Sequence, residues 1–593
     1  MIKGLNASRI VVKKNGETLF STDLGDVAAD FGDGLKATGH GSKKLFYLRI
    51  ENQTFTTPGT DTYVLELITN TGGVTTQTIQ VSWSNTSFTV LSPKPTVGDR
   101  IVVNKNFVTV DIQADGAKAV LVDGKEATKV VSPSPADASS TIDHFIYEYV
   151  GLKPDKETVI KFQVQRASGV TNGTINVYYT SSVQVGSAYK QAMGSKFSMF
   201  NKGLTLEFPK NTILKKASPA NKVEQFYQHN LRFGIASPED GIVERQNDYG
   251  ATVSPQGVVY PHFISTLTRS NFTRISPVYW ISGGVGGITN SGLPSKEGMD
   301  PYDVDGTFVN PVTERKLVPT NRGTLTLKFD ENVVDSVAST LAVYYLGDSP
   351  YAEWQRVGGA VDAKSNTITV PFDDFGYYMV VKLRAGFKDI TNHPWARNVL
   401  EGMYSKGLMT NLHYQDFGSY DFTTRGEFAT LLVKAMSIPL IYDDTPTFVD
   451  VPAGSNATTW SYAYIETAAR TGIITGFDNQ QFGPSQRLTR EQAATMIARA
   501  MELKLPKNDD KVKANLAKQF TDVDKMSYYA LPAIQEVSKQ GIMLGMENAA
   551  VEGQKKATYS FSPLTQLKRD EAAQIAVRLL QKNKSNLFPS NLN

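Results

Sequence analysis

One pattern occurs three times in the last roughly 200 residues of this 593-residue chain, and such a repeat constrains the fold more than any other feature. Each copy opens with Phe-x-Asp, has an aromatic residue twelve positions before a glycine, and has a phenylalanine eight positions before an arginine. The aspartates, aromatic residues and arginines of the copies are Asp389, Asp450, Asp522, Trp395, Trp460, Tyr529, Arg425, Arg490 and Arg569. Apolar residues recur at i, i+3 and i+4 around these motifs, so we predict two helices per copy.

Glycines mark the turn after the first helix of each copy, at Gly407, Gly472 and Gly541. We predict a positive φ at these positions, because helices commonly end in a left-handed residue. Four residues later the copies have Asn411, Gly476 and Gly545. Since asparagine tolerates the left-handed conformation, we expect the same turn in all three copies.

Each arginine lies at the start of the second helix, in a Thr-Arg-x-Glu/Gln segment or a variant of it. The threonine and the Glu or Gln fit a capping box, in which each side chain accepts a hydrogen bond from the other residue's backbone amide. The residues of the predicted caps are Thr424, Glu427, Thr489, Gln492 and Glu571. The third copy has Lys568 in place of the threonine, so we expect its hydroxyl cap to be missing.

A capping box does not explain the arginine. A cation in the first helical turn opposes the helix dipole and costs about 0.3–1 kcal/mol. The arginine therefore either contacts an anionic ligand or forms a salt bridge between repeats, to Asp389, Asp450 or Asp522. Residue chemistry alone leaves both possibilities open.

This set of motifs resembles the S-layer homology (SLH) domain over about residues 385–582. The resemblance implies an α-helical, pseudo-threefold bundle (a pseudo-trimer of SLH repeats) whose grooves bind the secondary cell wall polymer of Gram-positive bacteria, typically through pyruvylated N-acetylmannosamine. It further implies that each arginine grips the pyruvate carboxylate beside helix N-terminal amides, that the aromatic residue packs on a sugar ring, and that the aspartate binds hydroxyls or orients the arginine.

The polymer-binding residues expected from this resemblance are Asp389, Trp395, Arg425, Asp450, Trp460, Gly476, Arg490, Asp522, Tyr529 and Arg569. For the aromatic residues, packing in the core is the alternative. The third copy departs most from the family pattern, because it has Lys568, a tyrosine in place of tryptophan, and extra residues after Gly545. We therefore expect Arg569 to matter less for binding than Arg425 and Arg490.

The preceding 384 residues predict a multidomain, all-β region. Short apolar runs separated by turn residues are typical of β-sandwiches, and Asn15-Gly16 between two such runs predicts a hairpin over 9–20. We predict Ig-like sandwiches at 1–93 and 94–186, a larger β-rich domain at 187–384, and SLH repeats at 385–446, 447–518 and 519–593.

Composition narrows the partners and the location. The net charge of +3 gives no reason to expect nucleic acid as a partner, and no run of about 18 apolar residues predicts a membrane span. The N-terminus lacks the pattern of a secretory signal. Because the repeats imply an extracellular protein of the cell wall or surface layer, we expect that a signal peptide has been removed.

Few residues suggest metal or catalytic chemistry. The chain has no cysteine, and none of its six histidines lies in a zinc-binding spacing. Asp300, Asp303 and Asp305 cluster hard oxygens that could bind calcium, with an acidic solvated loop as the alternative. We expect no other cofactor. No catalytic motif is recognisable, so we expect that the chain is not an enzyme.

Our first functional hypothesis is a surface-layer structural protein, anchored by the repeats and self-assembling into a lattice. The alternatives are a wall-anchored polysaccharide-active enzyme, with its site in residues 187–385, and an adhesin built on Ig-like modules.

Overall fold

The computed structural model describes the chain apart from residues 1, 6–7, 24–28, 31–34, 41–44, 51–58, 70, 84–87, 134–140, 217–225, 228–229, 253–271, 284–286, 289–293, 296–316, 334–339, 348–352, 384–385, 442–444, 478–479, 551–555, 590–591 and 593. Its contacts divide it into two compact units. One comprises residues 1–89 with 113–116, and the other comprises 90–112 with 117–593.

The first unit has two antiparallel sheets of four strands, ordered β1-β6-β5-β4 and β3-β2-β7-β8. The strands are β1 (Ile2–Leu5), β2 (Arg9–Lys14), β3 (Glu17–Asp23), β4 (Ala29–Asp30), β5 (Leu35–His40), β6 (Leu45–Ile50), β7 (Gly59–Ile68) and β8 (Val74–Trp83). The hairpin of β2 and β3 is confirmed. Asn15 and Gly16 have φ values of 53° and 92°, the conformation that a two-residue turn of this hand requires.

The second unit begins with a β-sandwich. Its sheets are ordered β10-β17-β16-β12-β13 and β14-β15-β11-β9, and β10 runs parallel to β17. The strands are β9 (Thr89–Ser92), β10 (Ile101–Val103), β11 (Phe107–Gln113), β12 (Ala119–Val122), β13 (Lys125–Glu126), β14 (Thr128–Pro133), β15 (Thr141–Val150), β16 (Lys156–Arg166) and β17 (Gly169–Tyr179). Alternating side chains such as Val108, Val110, Ile160 and Phe162 are buried, as the two-residue period of a strand requires.

A larger β region follows, built mainly on a seven-stranded and a five-stranded sheet. The former is ordered β18-β23-β25-β34-β30-β31 with β24 on β34, and the latter β19-β20-β29-β33-β32; smaller sheets are β22-β21-β28 and β26-β27. The strands are β18 (Ala188–Ala192), β19 (Lys196–Met199), β20 (Leu204–Glu207), β21 (Leu214–Lys216), β22 (Phe226–Tyr227), β23 (Asn230–Ala236), β24 (Phe272–Arg274), β25 (Val278–Ser282), β26 (Gly287–Ile288), β27 (Pro294–Ser295), β28 (Leu317–Pro319), β29 (Gly323–Lys328), β30 (Leu341–Leu346), β31 (Gln355–Gly358), β32 (Ala360–Asp362), β33 (Thr367–Phe372) and β34 (Gly376–Leu383). Phe197, Phe233, Leu325 and Phe372 lie in their shared core.

The C-terminal region is helical, as predicted. Its helices are α1 (Lys388–Thr391), α2 (Arg397–Ser405), α3 (Arg425–Ala435), α4 (Tyr462–Arg470), α5 (Arg490–Ala500), α6 (Asp510–Ala517), α7 (Leu531–Lys539) and α8 (Arg569–Lys582), with 3-10 turns at Val523–Lys525 and Tyr528–Ala530 and short strands β35 (Met546–Glu547) and β36 (Tyr559–Ser560). One apolar core runs from Phe387 to Leu592 through all three repeats. The fold class, an all-β N-terminal part followed by an α-helical repeat region, is therefore confirmed. The predicted domain boundaries stay predictions.

The three repeats close into a ring through their backbones. Thr423 N donates to Leu567 O at 2.8 Å, Leu567 N donates to Leu488 O at 2.8 Å, and Leu488 N donates to Thr423 O at 2.9 Å. Each of these residues lies just before the second helix of its repeat. The cycle gives the region its pseudo-threefold arrangement and brings the start of each second helix against a neighbouring repeat.

The first repeat docks on the larger β region through the end of α2. Lys406 Nζ donates to Leu341 O at 2.6 Å and to Gly359 O at 2.7 Å. Gly407 has the predicted positive φ of 69°, and a Cβ there would lie 2.5 Å from the carbonyl oxygen of Arg356. This glycine therefore serves both the helix end and the close approach of β31. No helix in the described part of the chain is long and apolar enough to cross a membrane.

Candidate functional site

Each repeat arginine crosses into the next repeat. Arg425 Nε donates to Phe482 O of the second repeat, and Arg490 Nε donates to Phe561 O of the third, both at 2.8 Å. Arg569 Nη1 donates to Phe417 O of the first repeat. We refer to these contacts as junction 1–2 (Arg425), junction 2–3 (Arg490) and junction 3–1 (Arg569).

The guanidinium groups also lie against the phenylalanine rings of the next repeat. The distance from the guanidinium carbon to the ring centroid is 4.8 Å for Arg425 and Phe482, 5.2 Å for Arg490 and Phe561, and 4.4 Å for Arg569 and Phe417. Such cation–π contacts hold the arginines in place while leaving the edges of the guanidinium groups available for hydrogen bonds.

The three arginines differ in how many of their donors are used. Arg569 is 0% exposed, forms an ion pair with Glu427 at 2.9 Å, and donates to the carbonyls of Thr410 and Gly418. Arg490 uses Nε and also donates from Nη2 to Leu544 O at 2.8 Å. For Arg425, within the described part of the chain, only the Nε bond is present.

The Phe-x-Asp aspartates hold the backbone of their own repeats. Both carboxylate oxygens of Asp450 accept amide hydrogens, from Phe482 N at 2.8 Å and Gly483 N at 2.7 Å. Asp389 and Asp522 accept pairs of amides in the same way. The alternative of an inter-repeat salt bridge from an arginine to one of these aspartates is wrong, because among the described residues the arginine that forms an ion pair across repeats is Arg569, and its partner is Glu427.

The amides at the start of each second helix are also occupied. In α3, Arg425 N donates to Gln486 O and Gly426 N donates to Pro484 O, both at 2.9 Å. Glu427 N donates to Thr424 Oγ1 at 3.2 Å. The neighbouring repeat therefore already accepts from these amides, and the expectation that a ligand carboxylate lies beside them stays a prediction.

The predicted caps form to different extents. Thr489 and Gln492 make a complete capping box, whereas in the first repeat Thr424 accepts from Glu427 N but the Glu427 carboxylate turns to Arg569. Burial raises the pKa of Glu427, and Arg569 acts against this rise.

The third repeat compensates for its missing threonine. Glu571 accepts from Lys568 N at 3.0 Å, and Glu571 N donates to the carboxylate of Asp570 at 2.7 Å. The aspartate thus takes the role that the hydroxyl has in the other repeats.

The residue after each arginine distinguishes the three junctions, and sequence reasoning missed it. These residues are Gly426, Glu491 and Asp570. A Cβ on Gly426 would lie 2.8 Å from Cγ and Cδ1 of Trp460, so the indole packs directly on the glycine backbone. The signal was present in the three aligned copies, where this position varies between no side chain and an acid.

In junction 2–3 an acid takes that position. Glu491 is 4% exposed, and its carboxylate accepts from Ser527 Oγ at 2.7 Å, from Ser527 N at 2.9 Å and from the hydroxyl of Tyr529 at 3.3 Å. Tyr529 is 55% exposed. Burial and then the Glu491 carboxylate raise the pKa of Tyr529 to about 12.

In junction 3–1 the acid contacts a histidine. His393 Nδ1 accepts from Ala396 N at 3.0 Å, so its Nε2 carries the hydrogen that is donated to Asp570 at 3.2 Å. The ring of His393 stacks on Tyr420 with centroids 4.9 Å apart and meets the edge of Trp395. Trp395 is 48% exposed, so core packing accounts for neither Trp395 nor Tyr529, whereas Trp460 packs against the core.

The second glycine position is a packing site rather than a left-handed turn. Neither Gly476 nor Gly545, nor Asn411, is among the described residues with positive φ, so that expectation is wrong. A Cβ on Gly476 would lie 2.7 Å from both the Phe448 ring and Gln481 O. This glycine therefore allows the close approach of the Phe-x-Asp phenylalanine.

The calcium candidates Asp300, Asp303 and Asp305 lie outside the described residues. Among those described, no group of three or more His, Cys, Asp or Glu side chains could hold a metal ion.

The fold and the contacts between repeats define the class of this region as a ring of three helical repeats that are joined by arginines. The family model of the S-layer homology domain matches residues 455–494 and 519–573, in the second and third repeats, and the first repeat has the same inter-repeat contacts. The C-terminal region therefore contains S-layer homology domains.

Curated relatives include both enzymes and surface-layer proteins. An amylopullulanase of Thermoanaerobacterium thermosulfurigenes is 29% identical over 245 residues, covering 41% of this chain and 12% of the relative. The S-layer protein EA1 of Bacillus anthracis is 26% identical over 137 residues, covering 23% of this chain and 15% of the relative. The match thus spans a small part of either relative.

Solved structures with Ig-like domains resemble the chain weakly. One is Dpr2 Ig1-Ig2 in complex with DIP-Theta Ig1-Ig3, with 9% identity and a TM-score of 0.11 over 30% of this chain and 90% of that chain. A likeness of this size carries no argument. The family match and the surface-layer relatives support anchoring at the cell wall and a location at the cell surface.

Proposed function

We propose that the three repeats anchor the chain non-covalently by binding a secondary cell wall polymer that carries pyruvylated N-acetylmannosamine. The observation that carries this proposal is the ring of junctions, where arginines lie beside aromatic side chains. The ring of Phe477 beside Arg425 is 42% exposed, and the repeat aromatic residues Trp395 and Tyr529 are about half exposed. A guanidinium grips a carboxylate, and a flat aromatic face packs on a sugar ring.

The test is sedimentation of the full chain with purified cell wall sacculi. We expect the chain to sediment with intact sacculi and to stay in solution with sacculi stripped of the polymer. Mild acid, which hydrolyses the ketal and removes pyruvate, should also release the chain. Retention on stripped sacculi would contradict the proposal, because the chain would then be binding peptidoglycan itself.

We further propose that the chain is a surface-layer structural protein whose β regions self-assemble, and that it is not itself an enzyme. Electron microscopy of the purified full chain should reveal an ordered lattice. Monomers under every condition that preserves binding to sacculi would contradict the lattice role and would favour the Ig-module adhesin.

A wall-anchored hydrolase is the second candidate, because one row of three hydrogen-bonded side chains has the distances of a catalytic triad. Ser132 Oγ lies 2.8 Å from His144 Nε2, and His144 Nδ1 lies 3.0 Å from Asp111 Oδ1. Tyr249 donates to the same carboxylate at 3.0 Å. The three side chains lie on the strands β14, β15 and β11 of one sheet.

The residue after the serine argues against catalysis. In a nucleophile elbow that residue donates its amide hydrogen to the oxyanion, and Pro133 has none. We therefore interpret the row of Ser132, His144 and Asp111 as a buried hydrogen-bond network. A fluorophosphonate probe should leave the chain unlabelled, and labelling that Ser132→Ala abolishes would overturn this interpretation.

A further inference from the structure

We propose that β8 is an interaction surface through which two copies of this chain join, edge to edge, into one continuous antiparallel sheet. This inference rests on the proposed function, because it names one contact through which the β regions would self-assemble. The observations that carry it are the length of this edge strand, its lack of charge and the exposure of both its faces.

β8 is the longest edge strand in the described part of the chain. It lies last in the sheet β3-β2-β7-β8, and its ten residues, Val74–Trp83, pair with β7 alone among the described strands. Every other described strand at the edge of a sheet has seven residues or fewer. An edge strand of this length leaves a row of backbone donors and acceptors open to another strand.

β8 also lacks the features that keep other edges from pairing. Its sequence, VTTQTIQVSW, has no charged residue and no proline, and its register with β7 is unbroken. At the opposite edge of the same sheet, β3 carries Glu17 and Asp23, and its register with β2 shifts after Val12. The edge strand β14 of the next sandwich carries Lys129 and Pro133. Charges, prolines and bulges block edge-to-edge pairing, so β8 is the unprotected edge of its sheet.

Both faces of β8 are exposed over residues 74–80. On β7, Tyr63 and Leu65 are buried in the core, but their partners on β8, Ile79 and Gln77, are exposed, Ile79 at 37%. The strand therefore extends past the core of its own sandwich. Its β-branched side chains are available to pack against neighbours on an added strand.

The hydrogen bonding of the β7–β8 hairpin fixes which backbone groups point outward. Thr69 N donates to Gly73 O at 2.9 Å, so this pair of opposed residues is a hydrogen-bonded pair. Such pairs alternate along an antiparallel ladder, and the odd-numbered residues of β8 therefore bond to β7. The even-numbered residues direct N–H and C=O to the open edge, and they are Val74, Thr76, Thr78 and Gln80.

A second copy of β8 matches this edge. In an antiparallel pair with twofold symmetry centred on Gln77, Thr76 lies opposite Thr78 of the second copy, and Val74 lies opposite Gln80. The outward backbone groups of these residues then meet one another, as a hydrogen-bonded ladder requires. Because each copy presents the same uncharged strand, the symmetric contact places no like charges opposite each other.

Charge on the neighbouring strand does not oppose this contact. Glu66 of β7 pairs with Lys13 at 2.5 Å, and Asp61 of β7 pairs with Lys14 at 2.8 Å. Both ion pairs join β7 to β2, on the side of β7 away from β8. These carboxylates are therefore compensated within the sheet before a second copy arrives.

The first experiment is disulfide trapping in the full chain. Because the chain has no cysteine, a single introduced cysteine can cross-link only to another copy. Gln77→Cys places the thiol at the symmetry axis, in a non-hydrogen-bonded pair whose Cα atoms should be about 4.5 Å apart, within the range of a disulfide. We expect mild oxidation to give a covalent dimer of this variant.

The matched control is Thr18→Cys, which is exposed on the opposite edge strand, β3. We expect it to cross-link at least about tenfold more slowly than Gln77→Cys at the same protein concentration, because its edge is protected. Equal rates for the two variants, or no dimer of Gln77→Cys, would overturn the inference.

The second experiment places charge on the outward positions in the Gln77→Cys background. Thr76→Lys with Thr78→Lys sets lysines opposite each other in the symmetric pair, and Thr76→Gln with Thr78→Gln is the uncharged control. We expect the lysine variant to cross-link about tenfold more slowly than the glutamine variant, since like charges directly opposite destabilise strand pairs. Equal rates would overturn the pairing. Thermal unfolding of each variant checks that the sheet stays folded.

Mixing opposite charges tests the same register. A variant with Thr76→Glu and Thr78→Glu in the Gln77→Cys background should cross-link to the lysine variant faster than either cross-links to itself, because each lysine then lies opposite a glutamate. No gain on mixing would overturn the twofold pairing centred on Gln77.

Electron microscopy separates this inference from the proposed lattice role. A lattice that forms while Gln77→Cys gives no dimer would overturn the β8 contact and leave self-assembly intact. A covalent dimer without a lattice would uphold the contact and contradict the surface-layer role.

Discussion

Junctions 1–2 and 3–1 have the same residue at the same place in the same motif, but the two arginines use their hydrogen-bond donors to different extents. Arg569 is fully buried, paired with Glu427 and saturated with acceptors. Arg425 is almost as buried but makes one hydrogen bond from Nε. The comparison teaches that a repeated motif specifies the position of the arginine, whereas the neighbouring repeat decides how many of its donors find acceptors.

The largest effect should follow from removing Arg569. Arg569→Ala leaves the Glu427 carboxylate buried without its partner, so we expect a loss of about 3–5 kcal/mol in the free energy of unfolding. Arg425→Ala removes one hydrogen bond to a charged group and should cost about 1–2 kcal/mol. Urea unfolding followed by the helical circular dichroism signal measures both. Similar losses in the two variants would break the comparison.

An intermediate effect should follow from Asp450→Ala, because the amides of Phe482 and Gly483 lose their acceptor. The expected loss is about 1–3 kcal/mol in the free energy of unfolding. If Asp450 acts only by holding the backbone, any loss of binding to sacculi should be proportional to the fraction of the variant that is unfolded. The loss should then disappear at low temperature, where the variant is folded. A binding loss in the fully folded variant would instead make Asp450 a ligand contact.

Lys406 extends the comparison to a buried cation with no carboxylate partner among the described residues. Burial lowers its pKa from the ordinary 10.5 to about 7, and that of Lys434 to about 8. Between these pKa values and 10.5 the folded state binds fewer protons than the unfolded chain. The free energy of unfolding therefore rises with pH in that window, and the gain is lost as the pH falls to the folded-state pKa. The slope is at most about 1.4 kcal/mol per pH unit for each group.

Unfolding measured at a series of pH values tests this dependence. Lys406→Met should flatten the slope, and Lys434→Met should flatten it over a window that begins at higher pH. A wild-type stability that is level across the window would mean that the carbonyl acceptors Leu341 O and Gly359 O compensate fully for the burial of the charge.

The sequence was informative wherever local backbone chemistry decides the structure. The Asn15-Gly16 hairpin, the left-handed glycines that end the first helices and the full cap of Thr489 follow from rules that involve neighbouring residues. The glycine at 476 was misinterpreted, because one sequence cannot distinguish a glycine needed for its φ from one needed for the approach of a distant ring. The roles of the aspartates were missed for the same reason, since the hydrogen bonds that they accept span 28 to 40 residues of the chain.

By itself, the sequence determined that three helical repeats follow an all-β region and that each repeat places an arginine at the start of its second helix. Only the tertiary structure decided what each arginine meets. Periodicity and capping are short-range effects that one stretch of chain encodes, whereas charge compensation depends on groups that the folded ring brings together from different repeats. Glu427 and Arg569 are 142 residues apart in the chain and 2.9 Å apart in the fold, and that contact separates the arginine whose charge is paired inside the protein from the one that makes a single side-chain hydrogen bond among the described residues.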